Sequence, residues 1–196
     1  AQIPQIARRE GHALIITISG ARHRIYEDHF RACAEEDPDN CEMDSLWSYD
    51  PQEHVVVVLR TYYESMDYLL LDLETGGSIV LENQPHKAPK GPYWAVVDES
   101  LASGDGQIQL VTDSEGFRVL GSIRRPYCMF ERWDGDIAFL ILCNSDNETP
   151  ERGEFRITLG TSGTLTRSPT GRAVSEDEYR SIDAGAPDIP AVTGAQ

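Results

Sequence analysis

The stretch His54-Val55-Val56-Val57-Val58-Leu59-Arg60-Thr61 constrains the fold more than any other. A run of β-branched residues is stiff at χ1 and favours extended backbone. Successive strand residues point to opposite faces. Four valines in a row therefore require apolar cover on both faces, which places this strand in the centre of the structure. Tyr62 and Tyr63 extend it, and Glu64-Ser65-Met66 turns the chain.

The chain after that turn reads as strand, tight turn, strand, basic loop, strand. Leu69-Leu70-Leu71 and Leu73 form an apolar run, and Glu74-Thr75-Gly76-Gly77 supplies turn chemistry before Ile79-Val80-Leu81. Glycine takes positive φ without a Cβ clash, so the pattern predicts a β-hairpin. A helix over 67–75 is excluded by its short length and by the glycine pair followed at once by β-branched residues. Residues 83–92 hold Pro85, Pro89 and Pro92, so they cannot form a central strand and read as a loop. Tyr93-Trp94-Ala95-Val96-Val97 is the next strand.

Elsewhere, strands are expected at 13–18, 107–111, 117–123, 127–143 as a hairpin, and 154–159 with 163–167 as a final hairpin. Residues 1–12 read as a lead-in, and 22–30 fits a strand better than a short helix. The expected organisation is one all-β domain over 1–167 and an acidic Gly/Pro/Ala-rich tail, largely irregular, over 168–196. Within that tail, Ser175-Glu176-Asp177-Glu178 has the spacing of a helix capping box. The first residues, Ala1-Gln2-Ile3-Pro4, lack both Met and a signal peptide. They read as the N-terminus left by processing or trimming.

Four cysteines, Cys33, Cys41, Cys128 and Cys143, admit three pairings. No C-x-x-C is present, which removes support for zinc, haem attachment and thioredoxin-like chemistry. Pairing of sequence neighbours is the simplest scheme: Cys33–Cys41 clips an acidic loop and Cys128–Cys143 staples a hairpin. If the second pair faces across that hairpin, its tip is Gly135-Asp136, a glycine-first type II′ turn. A tip at Asp134-Gly135 would put the cysteines two residues out of register, too far apart to bridge without distortion. Disulfides imply an oxidising compartment, here the periplasm or the exterior.

The hairpin unit recurs. Leu69–Leu81 aligns with Ile108–Leu120, each a strand, a Glu-containing turn with Gly, and a strand ending Val-Leu; a weaker copy starts at Phe155 with its turn at Gly163. Gly76 and Gly116 stand about 40 residues apart, the period of a propeller blade. The expected fold is thus an all-β antiparallel meander of blade-like repeats, a small or incomplete β-propeller, with a β-sandwich as the alternative. The segments Leu71-Asp72-Leu73-Glu74-Thr75-Gly76, Ala88-Pro89-Lys90-Gly91-Pro92-Tyr93-Trp94, Gln107-Ile108-Gln109-Leu110 and Phe130-Glu131-Arg132-Trp133-Asp134-Gly135-Asp136-Ile137 carry a likeness. They resemble the S-P-D-G-[KR]-Y repeats of uncharacterised exported bacterial β proteins. The likeness covers about residues 44–143 and departs at Ala88 and Lys90, where the pattern has Ser and Asp. It implies a blade fold and export, and it carries over no catalytic residue.

Charge narrows the function classes. Lys and Arg number 17 against 33 Asp and Glu, a formal net charge of −16. Such a chain repels nucleic-acid phosphates and anionic membrane surfaces, and attracts basic partners. No apolar run approaches the ~20 residues of a membrane-spanning helix. Lysine is confined to Lys87 and Lys90 while arginine is plentiful, a composition associated with GC-rich bacterial genomes.

Candidate sites are few. His86, Lys87 and Lys90 lie in one basic break, and Arg124 and Arg125 in the corresponding break of the next repeat. Stacked repeats would bring these five together on one edge, able to hold an anion or an acidic segment; the plainer reading is solubilising charge or internal ion pairs. The acidic loop Glu35 to Asp44 offers Asp37, Asp39, Glu42 and Asp44 as oxygen ligands for Ca²⁺, without the D-x-D-x-D-G spacing. The histidines show no metal spacing, no catalytic motif stands out, and no cofactor is expected. Trp47, Trp94, Trp133, Tyr62, Tyr63 and Tyr93 could form a sugar platform, but their repeat positions favour core packing.

Three functions are compatible with these features. The first is an exported acidic interaction domain with a protein partner, basic in character, as inhibitor or accessory. The second is a periplasmic hydrolase working through two carboxylates. The third is a structural subunit of an envelope assembly.

Overall fold

The computed structural model describes residues 5–19, 22–34, 40–98, 106–124, 128–144, 152–175 and 177–178. It is an all-β chain of four antiparallel sheets, each a meander in which sequence neighbours pair. The first sheet holds β1 (Ala7–Glu10), β2 (Ala13–Ile18) and β3 (Arg22–Glu27). A short helix, α1 (Phe30–Ala34), follows. The second sheet holds β4 (Met43–Asp50), β5 (Val55–Thr61), β6 (Met66–Asp72) and β7 (Ser78–Leu81). The third holds β8 (Pro85–Lys87), β9 (Tyr93–Val97), β10 (Gln107–Thr112) and β11 (Arg118–Arg124). The fourth holds β12 (Cys128–Trp133), β13 (Phe139–Cys143), β14 (Gly153–Leu159) and β15 (Leu165–Pro169). Two compact units result, Ala1–Val96 with Leu110–Leu120, and Val97–Gln109 with Gly121–Gln196.

The valine run does what its chemistry demands. Val56 and Val58, with Leu69 and Leu71, pack against Leu14, Ile16 and Ile18 of the first sheet. Val55 and Val57, with Tyr68 and Leu70, pack against Trp94, Val96 and Val111 of the third. All four valines are buried, and each contributes roughly 2 kcal/mol of apolar burial. The repeats also hold. The hairpins β6–β7, β10–β11 and β14–β15 are the third and fourth strands of successive sheets. Their turns carry Gly76, Gly116 and Gly163 at φ of 77°, 101° and 76°, a backbone region that glycine enters without steric cost.

Several local expectations change. Residues 83–92 contain a three-residue strand, β8, which sits at a sheet edge; proline is tolerated there because an edge residue can do without its donor. Residues 22–34 hold a strand and then a helix. β1 and β4 were concealed by charged residues that interrupt their apolar alternation. Cys128 pairs with Cys143 across the hairpin as expected, but the register then slips between Phe130 and Arg132. Glu131 is the extra residue of a β-bulge. The slip lengthens the tip to Gly135-Asp136-Ile137, closed by the Asp134 amide donating to the Ala138 carbonyl at 2.8 Å. This replaces the expected two-residue turn. Both sequence-near disulfides are closed, Cys33–Cys41 and Cys128–Cys143, which indicates an environment outside the reducing cytoplasm. No helix among the described residues is long and apolar enough to cross a membrane.

β15 runs to Pro169, and the Thr170 amide then donates to the Glu154 carbonyl at 3.1 Å. Ser175 and Glu178 form the reciprocal capping box. The Glu178 amide donates to Ser175 Oγ at 3.3 Å, and the Ser175 amide donates to Glu178 Oε2 at 2.8 Å.

Candidate functional site

Four of the five basic residues lie among the described residues. His86 and Lys87 lie on β8 and Arg124 ends β11, and these strands are opposite edges of the third sheet. Arg125 falls outside the described residues. Burial pushes the His86 imidazole down to about 4, so it is neutral at physiological pH and adds no positive charge. Lys87 Nζ lies 3.5 Å from Asp50 and 3.8 Å from Glu53, and 5.3 Å from the centroid of the Trp94 ring. Lys90 is exposed. The internal ion-pair reading therefore accounts for Lys87.

The acidic loop divides similarly. Asp37 and Asp39 lie outside the described residues. Arg60 Nε donates to Asp44 Oδ1 at 3.2 Å and lies 3.1 Å from Glu42 Oε1. Asp44 is 1% exposed, and its amide donates to Asp28 Oδ1 at 2.8 Å. Arg9 reaches the Asp28 carboxylate and the Asp44 carbonyl. Burial raises the Asp44 pKa, opposed by the Arg60 hydrogen bond and charge. Asp44 and Glu42 thus hold a guanidinium in place of a calcium ion. Among the described residues no cluster of three or more His, Cys, Asp or Glu side chains is arranged to hold a metal.

A second charged cluster gathers on the fourth sheet, where the bulge aims Glu131 toward Glu154 of β14. Glu154 is 4% exposed. Arg172 spans both: its Nε donates to Glu154 Oε2 at 2.5 Å and its Nη2 to Glu131 Oε1 at 3.2 Å. Its Nη1 donates to Glu178 Oε1 at 2.8 Å. Thr170 Oγ1 donates to Glu154 Oε1 at 2.6 Å, and Arg132 reaches Glu131. Burial, and then the neighbouring Glu154, raise the Glu131 pKa. Burial also pushes Glu154 upward, but hydrogen bonds from Thr170, Glu131 and Arg172 outweigh it and hold Glu154 low. The Ser175 amide and Arg172 bring Glu178 down to about 2. Beside this cluster, Val174 and Met129 pack on Leu142. The opposite face of the sheet carries Phe130, Trp133 and Phe139, with the last two ring centroids 5.4 Å apart.

The aromatic residues divide as well. Trp94 is buried in the core and donates from Nε1 to Asp113 at 3.1 Å. Trp47, the extra residue of a bulge in β4, is 40% exposed and stacks edge-on against Tyr68 at 5.8 Å. The other exposed large apolar residues, Ile25, Tyr63, Val80 and Val119, lie apart along the chain.

No protein-family model, curated protein or solved structure matches this chain. No motif or spacing in the sequence singles out Glu131, Glu154 and Arg172 as site residues. The Ser175 and Glu178 spacing was the one sequence sign of order in residues 170–175.

Proposed function

We propose that this protein is an exported acidic interaction domain, periplasmic or secreted, that engages a basic protein partner as an inhibitor or accessory. One observation carries the reading: carboxylates exceed cations to a net charge of −16, and many of the cations are already committed internally. Arg9, Arg60, Lys87, Arg132, Arg156 and Arg172 all face carboxylates of the same chain. The charge presented to a partner is then dominated by the surplus acids, which steer a cationic protein and raise its association rate. The hydrolase reading finds less support. Glu131 and Glu154 are neighbours bridged by one guanidinium, whereas glycosidase carboxyls flank a gap of roughly 5–9.5 Å.

Affinity capture from an envelope extract at two salt concentrations tests the proposal. Basic proteins should be retained at ~50 mM salt and released by ~200 mM, beyond which screening shortens the reach of exposed charge below ~8 Å. Retention that ignores salt, or selective binding of an uncharged ligand, overturns it.

A further inference from the structure

The segment that follows β15 makes the contacts of a bound peptide. It offers the fourth sheet one backbone hydrogen bond, from the Thr170 amide to the Glu154 carbonyl. It offers one guanidinium fork, Arg172, and one aliphatic anchor two residues on, Val174, which packs on Leu142 as Met129 does. Main-chain bonding, a charge-assisted fork and an apolar anchor are the parts from which peptide recognition is assembled. The receiving surface is built for a cation independently of the segment. The Glu131 bulge turns a carboxylate toward a second, buried one, and a buried carboxylate needs a positive partner.

We propose that this surface, formed by Glu131, Glu154, Leu142 and Met129, is a docking site for an arginine-x-aliphatic segment of a basic partner, and that residues 170–175 are a built-in strap occupying it until the partner displaces them. The inference rests on the interaction-domain reading above and names where, and by what motif, the partner binds. The capping box between Ser175 and Glu178 holds the strap's far end in shape, and Glu178 adds a further carboxylate to Arg172. Occupation by the strap lowers the apparent affinity for a partner by the fraction of molecules in which the site is open.

The test uses the full chain and an acetylated, amidated peptide with the sequence of residues 170–175, Thr-Gly-Arg-Ala-Val-Ser. Arg172→Ala empties the fork position, so labelled peptide should bind this variant at least about tenfold more tightly than wild type. Glu154→Gln should remove that binding, and a peptide of scrambled order should bind neither. Hydrogen exchange on wild type is the readout independent of variant folding: excess peptide should speed exchange of the 170–175 amides and leave β13 protected. Equal binding of native-order and scrambled peptides, with unchanged strap exchange, overturns the docking site and leaves the acidic-surface reading standing. No binding to Arg172→Ala, with no change in exchange on wild type, also overturns the docking site. The salt-dependent capture then decides the broader reading by itself.

Discussion

In the second sheet a buried carboxylate, Asp44, meets Arg60 from the adjacent strand, whereas in the fourth sheet the buried carboxylate, Glu154, meets Arg172 from beyond the last strand. The two sheets otherwise run in parallel. Each is a four-stranded meander with a bulge in its first strand, at Trp47 in one and Glu131 in the other. Each has a disulfide close by, Cys33–Cys41 before β4 and Cys128–Cys143 at the start of β12. The difference lies in who supplies the cation. Asp44 and Arg60 are register partners in one ladder, so their pairing is as permanent as the sheet. Arg172 belongs to a segment held by a few side chains and one backbone bond, and such a segment can leave while the sheet stays intact. A buried ion pair inside a ladder is structural; the same chemistry at a chain segment's edge is a latch.

The sharpest way to break the comparison is to remove each carboxylate. Asp44→Ala should lower the unfolding free energy by about 3 kcal/mol, because it leaves Arg60 short of a buried partner; denaturant titration reads this directly. Glu154→Ala should cost clearly less, because Arg172 can turn to solvent, and should raise exchange at 170–175 ahead of any global change. If the two variants lose equal stability, the latch is as integral as the ladder pair and the distinction fails.

The disulfides rank next. Cys128→Ala with Cys143→Ala should cost about 3 kcal/mol, and Cys33→Ala with Cys41→Ala about 2.5 kcal/mol, the shorter loop giving the smaller loss. The change in denaturation midpoint of each double variant checks the order. Intact mass before and after reduction should differ by about four protons for the unmodified chain.

The pH dependence should separate the carboxylates by sign. Asp44 has a raised pKa, so its favourable contribution is complete below the usual value of 3.8 and is lost as pH rises through the folded value. Glu154 is held low, so its contribution is present above 4.5 and lost as pH falls through the folded value. Asp44→Asn should therefore be less damaging at pH 7 than at pH 3, and Glu154→Gln more damaging at pH 7 than at pH 3. Stability curves of the two variants that shift in the same direction would remove the contrast. The smallest effect belongs to Lys87→Ala, about 0.5–1 kcal/mol, since its partners are partly exposed and its cation–π contact modest. A thermal melt showing a loss above ~2 kcal/mol would mean that this lysine ties the second and third sheets far more tightly than its exposure allows.

Legibility in the sequence followed the range of the interaction. Val55–Val58 declared a strand covered on both faces, because side-chain alternation is a property of neighbouring residues. Gly76, Gly116 and Gly163 marked three equivalent turns through a local backbone need. Cys128 and Cys143 were expected to pair as sequence neighbours, the simplest of three schemes, with a hairpin register reached by counting. The count broke at Glu131: a bulge is chosen by the packing around it, so the tip loop was misread and Glu131 was passed over. Arg124 and His86 were grouped by their place in the repeat, yet opposite sheet edges part them and burial strips His86 of its charge. Neither fact is carried by nearest neighbours.

Local pattern and overall composition already specify the all-β meander, its repeating hairpins and its anionic character. Each depends on alternation, turn chemistry or composition, and these act over a few residues or over the whole chain at once. Three-dimensional packing settles which carboxylates are buried, which guanidinium each one meets, and that Thr170 and Arg172 reach back to the fourth sheet. Those outcomes depend on burial and on distances between residues far apart in the chain. Arg172 lies 41 positions from Glu131, and no local pattern could have set their side chains within hydrogen-bonding reach.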